Sequence, residues 1–210
     1  MKRILVADDH ALVRKGLRET LDEELGGVSV TEAQNGKQAL EQLKHGEWDL
    51  VVMDINMEGM SGFEVLAELR ALRPKLPVLV LSMYPESEFG IRALKSGAAG
   101  YLNKQSASEE LVTAVRKVLE GGRYVSPALG ERLACELGGP VQRMPHELLS
   151  NRELQVMRMI AQGKSLKEIA FDLAISAKTV GTYHLRLLEK LGLRSDVEIT
   201  RYAIRNGLVE

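Results

Sequence analysis

The stretch LVVMDINMEGMSG, residues 50–62, joins an unbroken apolar run to a loop rich in oxygen-bearing side chains. The run LVVM has no alternation of apolar and polar positions, which is typical of a strand buried on both faces in a parallel sheet. The loop begins as a calcium-binding EF-hand loop begins, with acidic or amide oxygens at alternate positions followed by a glycine. The stretch therefore predicts a buried parallel strand whose end carries chemistry suited to a cation.

Around this stretch, short β-rich runs alternate with amphipathic helical stretches through the first half of the chain. The predicted strands cover residues 3–7, 28–33, 50–53, 78–81 and 99–102, and the predicted helices cover residues 10–25, 37–45, 62–72, 86–96 and 108–120. Five successive βα units imply an α/β fold, in which a five-stranded, doubly wound parallel sheet is covered by helices on both faces. Right-handed crossovers bring the carboxyl ends of the strands to one edge, where such folds bind ligands.

The pattern changes after residue 120. Glycines and prolines punctuate residues 121–145, where periodicity is low and only residues 128–137 have the character of a short helix. Four helical stretches without a strand follow, residues 152–162, 166–173, 177–191 and 196–206, and Ser150 with Glu153 forms a capping box. We expect a first domain over residues 1–121, a linker over residues 122–145 and a second, smaller all-α domain over residues 146–210.

Composition agrees with a soluble globular protein of two small domains. The 210 residues contain no apolar run near the roughly 20 residues that span a bilayer, and the start MKRILVADDH turns acidic too early for a signal peptide. We therefore expect a cytoplasmic protein without a membrane partner. The single Cys135 has no Cys or His neighbour at zinc-finger spacing, and we interpret it as a small apolar residue.

Net charge differs slightly between the two halves. Residues 1–125 carry 16 Lys and Arg against 19 Asp and Glu, whereas residues 146–210 carry 10 against 8. The first half therefore suits a cation or a regulatory role, and the second weakly suits a polyanion.

Polar residues follow four of the predicted strands. Asp8 and Asp9 follow the first, Asp54 the third, Ser82 the fourth and Lys104 the fifth. Three carboxylates at one sheet edge repel one another unless a cation lies among them, and a hard ion with oxygen ligands, most plausibly Mg²⁺, removes that conflict.

Two other functions fit parts of this pattern less well. An EF-hand loop starting at Asp54 needs a Glu at its twelfth position, but that residue is Val65, so calcium is rejected as the primary role. A phosphotransferase of the haloacid-dehalogenase type needs an Asp-x-Asp pair, but the second acid is replaced by Asn56. A carboxylate nucleophile without a paired acid would accept a phosphoryl group and hold it, which is the behaviour of a switch.

The chain resembles a two-component response regulator of the NarL/FixJ type over nearly its whole length. In the first half the matching residues, in strand order, are Asp8, Asp9, Asp54, Ser82, Tyr101 and Lys104. In the second half, residues 149–193 match the LuxR-type helix-turn-helix, with Glu153, Gly163 and Gly192 among its signature positions. The resemblance implies a flavodoxin-like receiver domain and a helix-turn-helix DNA-binding domain.

The resemblance also implies roles for the site residues. Asp54 would accept a phosphoryl group from a sensor histidine kinase, and Mg²⁺ would be held by Asp8, Asp9, Asp54 and the backbone carbonyl of Asn56. Lys104 would pair with the phosphoryl oxygens. Ser82 would move toward them, and the Tyr101 ring would then turn inward.

Further expectations follow for the whole protein. Such a protein would control transcription through dimerisation on double-stranded DNA, and would catalyse only its own phosphorylation and dephosphorylation. Each residue has a plainer interpretation as well: a helix cap for an aspartate, a solvated lysine for Lys104, or ordinary core for Tyr101. We expect His10 to begin a helix rather than to bind the metal. Two residues depart from the family pattern, since Glu58 stands where receivers commonly have proline and Met83 where they have a small residue.

A helical wheel of residues 177–191 separates two faces. Val180, Tyr183, Leu187, Leu188 and Leu191 share the core face, whereas apolar Leu185 and small Gly181 lie on the outward face. A helix that lies in the major groove explains both, since Leu185 can contact a thymine methyl and Gly181 permits a close approach. The residues predicted to contact DNA are Lys178, Thr179, Gly181, Thr182, Leu185 and Arg186. An alternative keeps the DNA-binding half but makes the first half a small-molecule sensor, for which the strand-end acids and Lys104 have no use.

Overall fold

The computed structural model describes residues 1–105, 107–137 and 144–209. The chain divides into two compact units, Met1–Gly138 and Gly139–Glu210, and each is described by itself. Parts of the predicted linker, residues 138–143, and the last residue of the predicted second domain lie outside the described residues.

The first unit alternates strands and helices in the predicted order. Its elements are β1 (Lys2–Ala7), α1 (Ala11–Leu25), β2 (Val28–Ala33), α2 (Gly36–His45), β3 (Leu50–Asp54), α3 (Gly62–Leu72), β4 (Val78–Ser82), α4 (Glu86–Lys95), β5 (Gly100–Asn103), α5 (Ala107–Leu119) and α6 (Pro127–Leu137). The strands pair in parallel in the order β2-β1-β3-β4-β5. The predicted five-stranded, doubly wound parallel sheet is therefore confirmed.

Strands β3 and β4 are buried along their whole length, because helices cover both faces of the sheet. On one face, apolar side chains of α1 and α5 pack against alternate strand residues such as Val6, Val52 and Leu81. The side chains that alternate with these on the strands, among them Met53 and Tyr101, are also buried. Because helices pack on both faces of the sheet, the carboxyl ends of the strands, where the acidic residues lie, are held in fixed positions.

The exit from β3 depends on one glycine. A Cβ on Gly62 would lie 2.2 Å from the carbonyl oxygen of Asp54, so any larger residue would displace the backbone of the strand end. The Gly62 N–H donates to the carbonyl of Ile55 at 3.2 Å, and Ser61 with Glu64 forms a capping box that starts α3. The loop 54–62 is therefore a tight strand-to-helix connection, which an EF-hand loop is not.

The predicted linker is partly structured. Helix α6 begins one residue before the stretch that we had marked as a short helix, and it packs on α4. Leu129 is 1% exposed because its methyl groups lie against Gly90, where a Cβ would meet them at 2.9 Å. Cys135 on the same helix is exposed.

The second unit is helical throughout its described residues. It contains the short 3₁₀-helix Pro145–Leu148, then α7 (Asn151–Ala161), α8 (Leu166–Asp172), α9 (Ala177–Leu191) and α10 (Asp196–Arg205). Its buried apolar residues include Met157, Ile169, Val180, Leu187 and Ile199. Within the part of the chain that the structure describes, no helix has the length and apolar character needed to cross a membrane.

Candidate functional site

Two carboxylates and one ammonium meet at the carboxyl edge of the sheet. Lys104 Nζ lies 2.5 Å from Asp54 Oδ2 and 2.6 Å from Asp8 Oδ2. The two aspartates are 2% and 1% exposed, and the Lys104 side chain is 8% exposed. The backbone places these groups, because Asp54 is the last residue of β3 and the Lys104 N–H donates to the carbonyl of Ser82, the last residue of β4.

The pKa values of this group reflect burial set against charge. Burial raises the pKa of the Asp54 carboxyl above its usual value and outweighs the opposing effects of Lys104 and of the Asn56 N–H. Burial alone would lower the pKa of Lys104, but the charges and hydrogen bonds of Asp54 and Asp8 raise it. Lys104 is therefore a permanent cation beside the Asp54 carboxyl.

The donor atoms at this edge fit a hard cation. One ligand atom each from Asp8, Asp9, His10 and Asp54 lie within 4.8 Å of one another. Among the described residues, the buried oxygens Asp8 Oδ2 and Asp9 Oδ1 accept no well-aligned hydrogen bond, although Lys104 Nζ and His10 Nδ1 each lie 2.6 Å away. Carboxylate oxygens that lie this close together in one crevice suit an ion with oxygen ligands.

The loop after Asp54 binds the acidic residues through its backbone. The Asn56 N–H donates to Asp54 Oδ1 at 2.9 Å, and the Glu58 N–H donates to Asp9 Oδ2 at 3.0 Å. The Glu58 side chain is exposed, so its charge lies at the rim of the crevice. Met83 is 58% exposed and also lies outside the buried part.

Ser82 and Tyr101 are more buried than Glu58 and Met83. Both are fully buried, and Ser82 Oγ accepts a hydrogen bond from the Tyr84 N–H at 3.1 Å. The Tyr101 hydroxyl donates to the Tyr84 carbonyl at 2.7 Å, so the ring occupies an inward position in this structure. Burial raises the pKa of the Tyr101 phenol above its usual value despite a hydrogen bond with Ser82 that lowers it. Tyr84 thus connects the two predicted switch residues through its backbone.

Three groups that contribute contacts to the site were not identified from the sequence. Arg14 is buried and its Nη1 donates to the Asp8 carbonyl at 2.7 Å, which anchors the end of β1. An arginine on the apolar face of a predicted helix was the available signal. The other two groups, the backbone of Tyr84 and the N–H of Glu58, could not have been identified from the residue type, because these backbone atoms are not specific to Tyr or Glu. His10 is the N-cap residue of α1, as expected for a helix start, and it also lies beside Asp9.

In the second unit, α8 and α9 form the predicted helix-turn-helix. Ser165 with Glu168 caps α8, and Ser176 Oγ accepts from the Thr179 N–H to cap α9. Ala174 in the turn between them has a φ of 49°, a left-handed conformation that costs an alanine roughly 1 kcal/mol. The turn between the helices is therefore tight and strained.

Helix α9 shows the two faces that the wheel predicts. Val180 and Leu187 are buried and Tyr183, Leu188 and Leu191 are half-buried. Of the residues predicted to contact DNA, Lys178, Thr182 and Arg186 are exposed and Leu185 is 68% exposed. Thr179 and Gly181 are half-buried, and a Cβ on Gly181 would meet nothing within 4 Å.

An ion pair fastens α9 to α7. Lys190 Nζ lies 2.6 Å from Glu153 Oε2, and the Glu153 side chain is 3% exposed. Burial alone would raise the pKa of Glu153, but hydrogen bonds from Lys190 and Ser150 outweigh it and hold the pKa below its usual value. Two signature positions of the helix-turn-helix pattern therefore act together in packing.

Comparison with protein families supports the predicted receiver domain in the first half and the predicted helix-turn-helix domain in the second. The response regulator receiver domain matches residues 4–116, and the family of bacterial regulatory proteins of the luxR type matches residues 147–203. The response regulator GacA of Pseudomonas viridiflava is 38% identical over 211 residues, with 100% of this chain and 99% of that protein covered. The response regulator UvrY of Escherichia coli K12 is 36% identical over 209 residues, with coverages of 99% and 96%.

Solved structures of response regulators agree with these family matches. The structure of RcsB from Salmonella enterica serovar Typhimurium, bound to the promoter rprA in the presence of the phosphomimetic BeF₃⁻, is 26% identical with a TM-score of 0.65 and covers 96% of this chain and 98% of that chain. A two-component response regulator of the LuxR family from Aurantimonas is 34% identical with a TM-score of 0.59, and covers 65% of this chain and 98% of its own.

Proposed function

The chain belongs to the response regulators with a receiver domain and a LuxR-type DNA-binding domain, and on this premise we propose that Asp54 accepts a phosphoryl group from a sensor histidine kinase and thereby controls dimerisation and DNA binding. The observation that carries the proposal is the placement of Lys104 Nζ between the Asp54 and Asp8 carboxylates, at 2.5 and 2.6 Å. A structural lysine needs one partner, whereas two buried acids with one cation leave negative charge for a second cation. The protein acts in the cytoplasm.

In the transfer step, a carboxylate oxygen of Asp54 attacks phosphorus while the bond to the donor's imidazole nitrogen breaks. Asp54 gains an acyl phosphate and the imidazole leaves with the electron pair of the broken bond. Lys104, permanently charged, moves its hydrogen bond from Asp54 Oδ2 to a phosphoryl oxygen. The Asn56 N–H keeps Asp54 Oδ1 in place at 2.9 Å, so that the carboxylate presents one face to the donor.

The residues that would hold Mg²⁺ are Asp9 and Asp54 directly, with the Asn56 carbonyl, and Asp8 through water. When bound, Mg²⁺ neutralises charge on the transferring phosphoryl group. The closeness of the ligand atoms of Asp8, Asp9 and Asp54, which lie within 4.8 Å of one another, supports this assignment.

Ser82 and Tyr101 connect the phosphoryl group to the surface. Ser82 Oγ accepts a hydrogen bond from the Tyr84 N–H, and the Tyr101 hydroxyl donates to the Tyr84 carbonyl. When Ser82 turns to hydrogen-bond a phosphoryl oxygen, it releases the Tyr84 N–H. The loop before α4 then rearranges together with Tyr101.

The protein is not a turnover enzyme in this proposal. Asn56 follows Asp54 where a haloacid-dehalogenase enzyme has its general acid, so hydrolysis is limited to the chain's own acyl phosphate.

In the DNA-binding unit, α9 would enter the major groove. Lys178 and Arg186 would contact phosphates, and Thr182 and Leu185 would contact bases. Exposed Val197 and Ile204, which are 68% and 56% exposed, form an apolar strip on α10 that suits dimerisation on paired half-sites.

One experiment tests the phosphorylation directly. The full chain is incubated with acetyl phosphate and Mg²⁺, and intact-mass spectrometry is used to detect a single phosphoryl adduct that survives acid and is removed by base. We expect the adduct in the wild type and in the Asp22→Asn control, whose carboxyl is exposed on α1. Asp54→Asn should carry none, and an unchanged adduct in that variant would exclude Asp54 as the acceptor.

A second measurement tests whether phosphorylation controls the affinity for DNA. Genomic fragments retained by the phosphorylated chain are sequenced and their affinity is compared with that of the unphosphorylated chain and of Asp54→Asn. We expect phosphorylation to raise the affinity of the wild type and to leave Asp54→Asn unchanged. Equal affinities for the two wild-type forms would refute phosphorylation as the control.

A further inference from the structure

A cavity of about 360 Å³ opens at the edge of the sheet opposite Asp54. Its walls come from segments that precede β3, β4 and β5, including Asp49, Pro77 and Ala98, and from the loops that follow α3 and α5. Of the residues that the structure describes, three cationic side chains line it, Arg70, Lys75 and Arg123, together with one carboxylate, Asp49. The cavity is therefore electropositive by composition.

The Asp49 carboxylate does not neutralise this charge. Its Oδ1 pairs with Lys2 Nζ at 2.8 Å and its Oδ2 accepts from the Arg3 N–H at 2.8 Å. These hydrogen bonds hold the pKa of Asp49 below its usual value. Among the described residues Asp49 therefore pairs with Lys2 and forms no ion pair with Arg70, Lys75 or Arg123.

The Arg70 guanidinium is held in a fixed orientation. Its Nη1 donates to the Pro74 carbonyl and its Nη2 to the Leu76 carbonyl, both at 2.6 Å. Its stem packs on Gly97, where a Cβ would lie 2.7 Å from Arg70 Cδ. Burial, and to a lesser degree the positive charge of Arg123, lower the pKa of Arg70.

Lys75 and Arg123 are exposed, and among the described residues neither has an ion pair or a side-chain hydrogen bond. Within the described ranges neither side chain is bound to another residue, so both charges face the solvent and are accessible to a ligand. Three cations without a counter-ion around one concave surface are costly when empty and become favourable when an anion is bound.

The geometry points to a binding site in this cavity for a small molecule that carries a phosphate or pyrophosphate group. Guanidinium groups donate in pairs to phosphate oxygens, and a lysine adds a point charge. A volume of about 360 Å³ lies within the range of small-molecule pockets, about 300 to 1,000 Å³. The site is separate from the phosphoacceptor crevice because it occupies the amino edge of the same sheet.

The test uses calorimetric titration of the full chain with pyrophosphate, in low salt and without divalent ions. We expect one site that weakens by about tenfold for each cation removed in Lys75→Gln and Arg123→Gln, the size of one lost charge-assisted hydrogen bond. The control is a pair of single variants, Lys37→Gln and Lys167→Gln, each of which loses one positive charge at an exposed position, on α2 and α8 respectively. Both control variants should bind as the wild type does.

Three outcomes would overturn the site: no saturable binding to the wild type, equal weakening in control and cavity variants, or tighter binding in Asp54→Asn, which removes a negative charge from the phosphoacceptor crevice and would therefore place the anion there. Titrations with inorganic phosphate and adenosine diphosphate separate the sources of the anion. Adenosine diphosphate binding more tightly than pyrophosphate assigns the site to a nucleotide, and equal affinities assign it to the phosphate groups alone.

Discussion

The backbone N–H of Glu58 donates to Asp9 Oδ2 at 3.0 Å. Proline, which the resemblance leads one to expect at this position, has no N–H and cannot form the contact. The departure from the family pattern therefore adds one hydrogen bond that ties the loop after Asp54 to the acidic pair after β1, and it does so through the backbone.

Glu58→Pro should be less stable than Glu58→Ala, because alanine removes the same charge but keeps the N–H. We expect a difference of about 1 kcal/mol in the free energy of unfolding. Trp48 is the only tryptophan and lies in the first unit, so its fluorescence in urea reports on this unit. Equal stability of the two variants would show that the contact with Asp9 contributes nothing.

Lys104→Gln should make the stability of the first unit depend strongly on Mg²⁺. Removing the cation leaves Asp54 and Asp8 buried without compensation, at a cost of about 3 to 5 kcal/mol, and a divalent ion restores part of it. Urea unfolding followed by Trp48 fluorescence, with and without Mg²⁺, measures both values. The control Lys2→Gln breaks a surface pair with Asp49 and should cost less than about 1 kcal/mol without added Mg²⁺ dependence. The same Mg²⁺ increment in Lys104→Gln as in the wild type would contradict the prediction.

Glu153 should titrate below its usual pKa of 4.5. Because the folded pKa lies below the unfolded one, the stabilisation is present above the unfolded value and is lost as pH falls through the folded pKa. A ¹³C NMR titration of the Glu153 carboxyl should give a midpoint below 4.5 in the wild type and a higher one in Lys190→Gln. In the control Lys164→Gln, which breaks the more exposed Lys164–Asp172 pair, the midpoint should not move. An unshifted midpoint in Lys190→Gln would deny the role of this ion pair.

Gly181→Ala should separate folding from DNA binding. The added Cβ meets nothing within 4 Å in the protein, so helix propensity should raise stability by up to about 1 kcal/mol. The same Cβ should lower the affinity for DNA fragments several-fold if α9 approaches the major groove closely. Gly16→Ala on α1, which also has open space, is the matched control and should leave the affinity unchanged. Undiminished affinity in Gly181→Ala would argue against close approach at this position.

Leu129→Ala should destabilise the first unit. Leu129 on α6 is 1% exposed, and truncation of a buried leucine costs about 2 to 5 kcal/mol. The loss should be visible in the Trp48 transition even though Leu129 lies in the segment predicted as a linker. Leu148→Ala, at a position 58% exposed in the second unit, should leave that transition unchanged. No effect of Leu129→Ala would mean that α6 does not stabilise the receiver.

Much of the fold could be predicted from local patterns. Buried runs such as residues 50–53 and 78–81 have no wet face, and the apolar stripe of α5 has a helical period, so the ends of strands and helices differ from the prediction by at most one residue. The convergence of Asp8, Asp54 and Lys104 also followed from topology alone, because parallel strands with right-handed crossovers have their carboxyl ends at one edge.

Other features carry no local signal. The packing of α6 on α4 depends on which surface its apolar face meets. Arg14 contacts the carbonyl of Asp8, and Tyr101 contacts the carbonyl of Tyr84. Every residue has a backbone carbonyl, so the residue type does not indicate these contacts. The DNA-contact residues, the linker boundaries and the metal ligands stay predictions until they are measured.

The sequence by itself determined the order of the elements, the residue types at the strand ends and the two faces of α9, because period and burial are properties of short segments. Only the tertiary structure decided that Lys104 contacts both acids, that Glu58 contacts Asp9, and that Arg70, Lys75 and Arg123 line one cavity. These relationships join residues far apart in the chain, and distances between such residues are set by the packing of the whole domain.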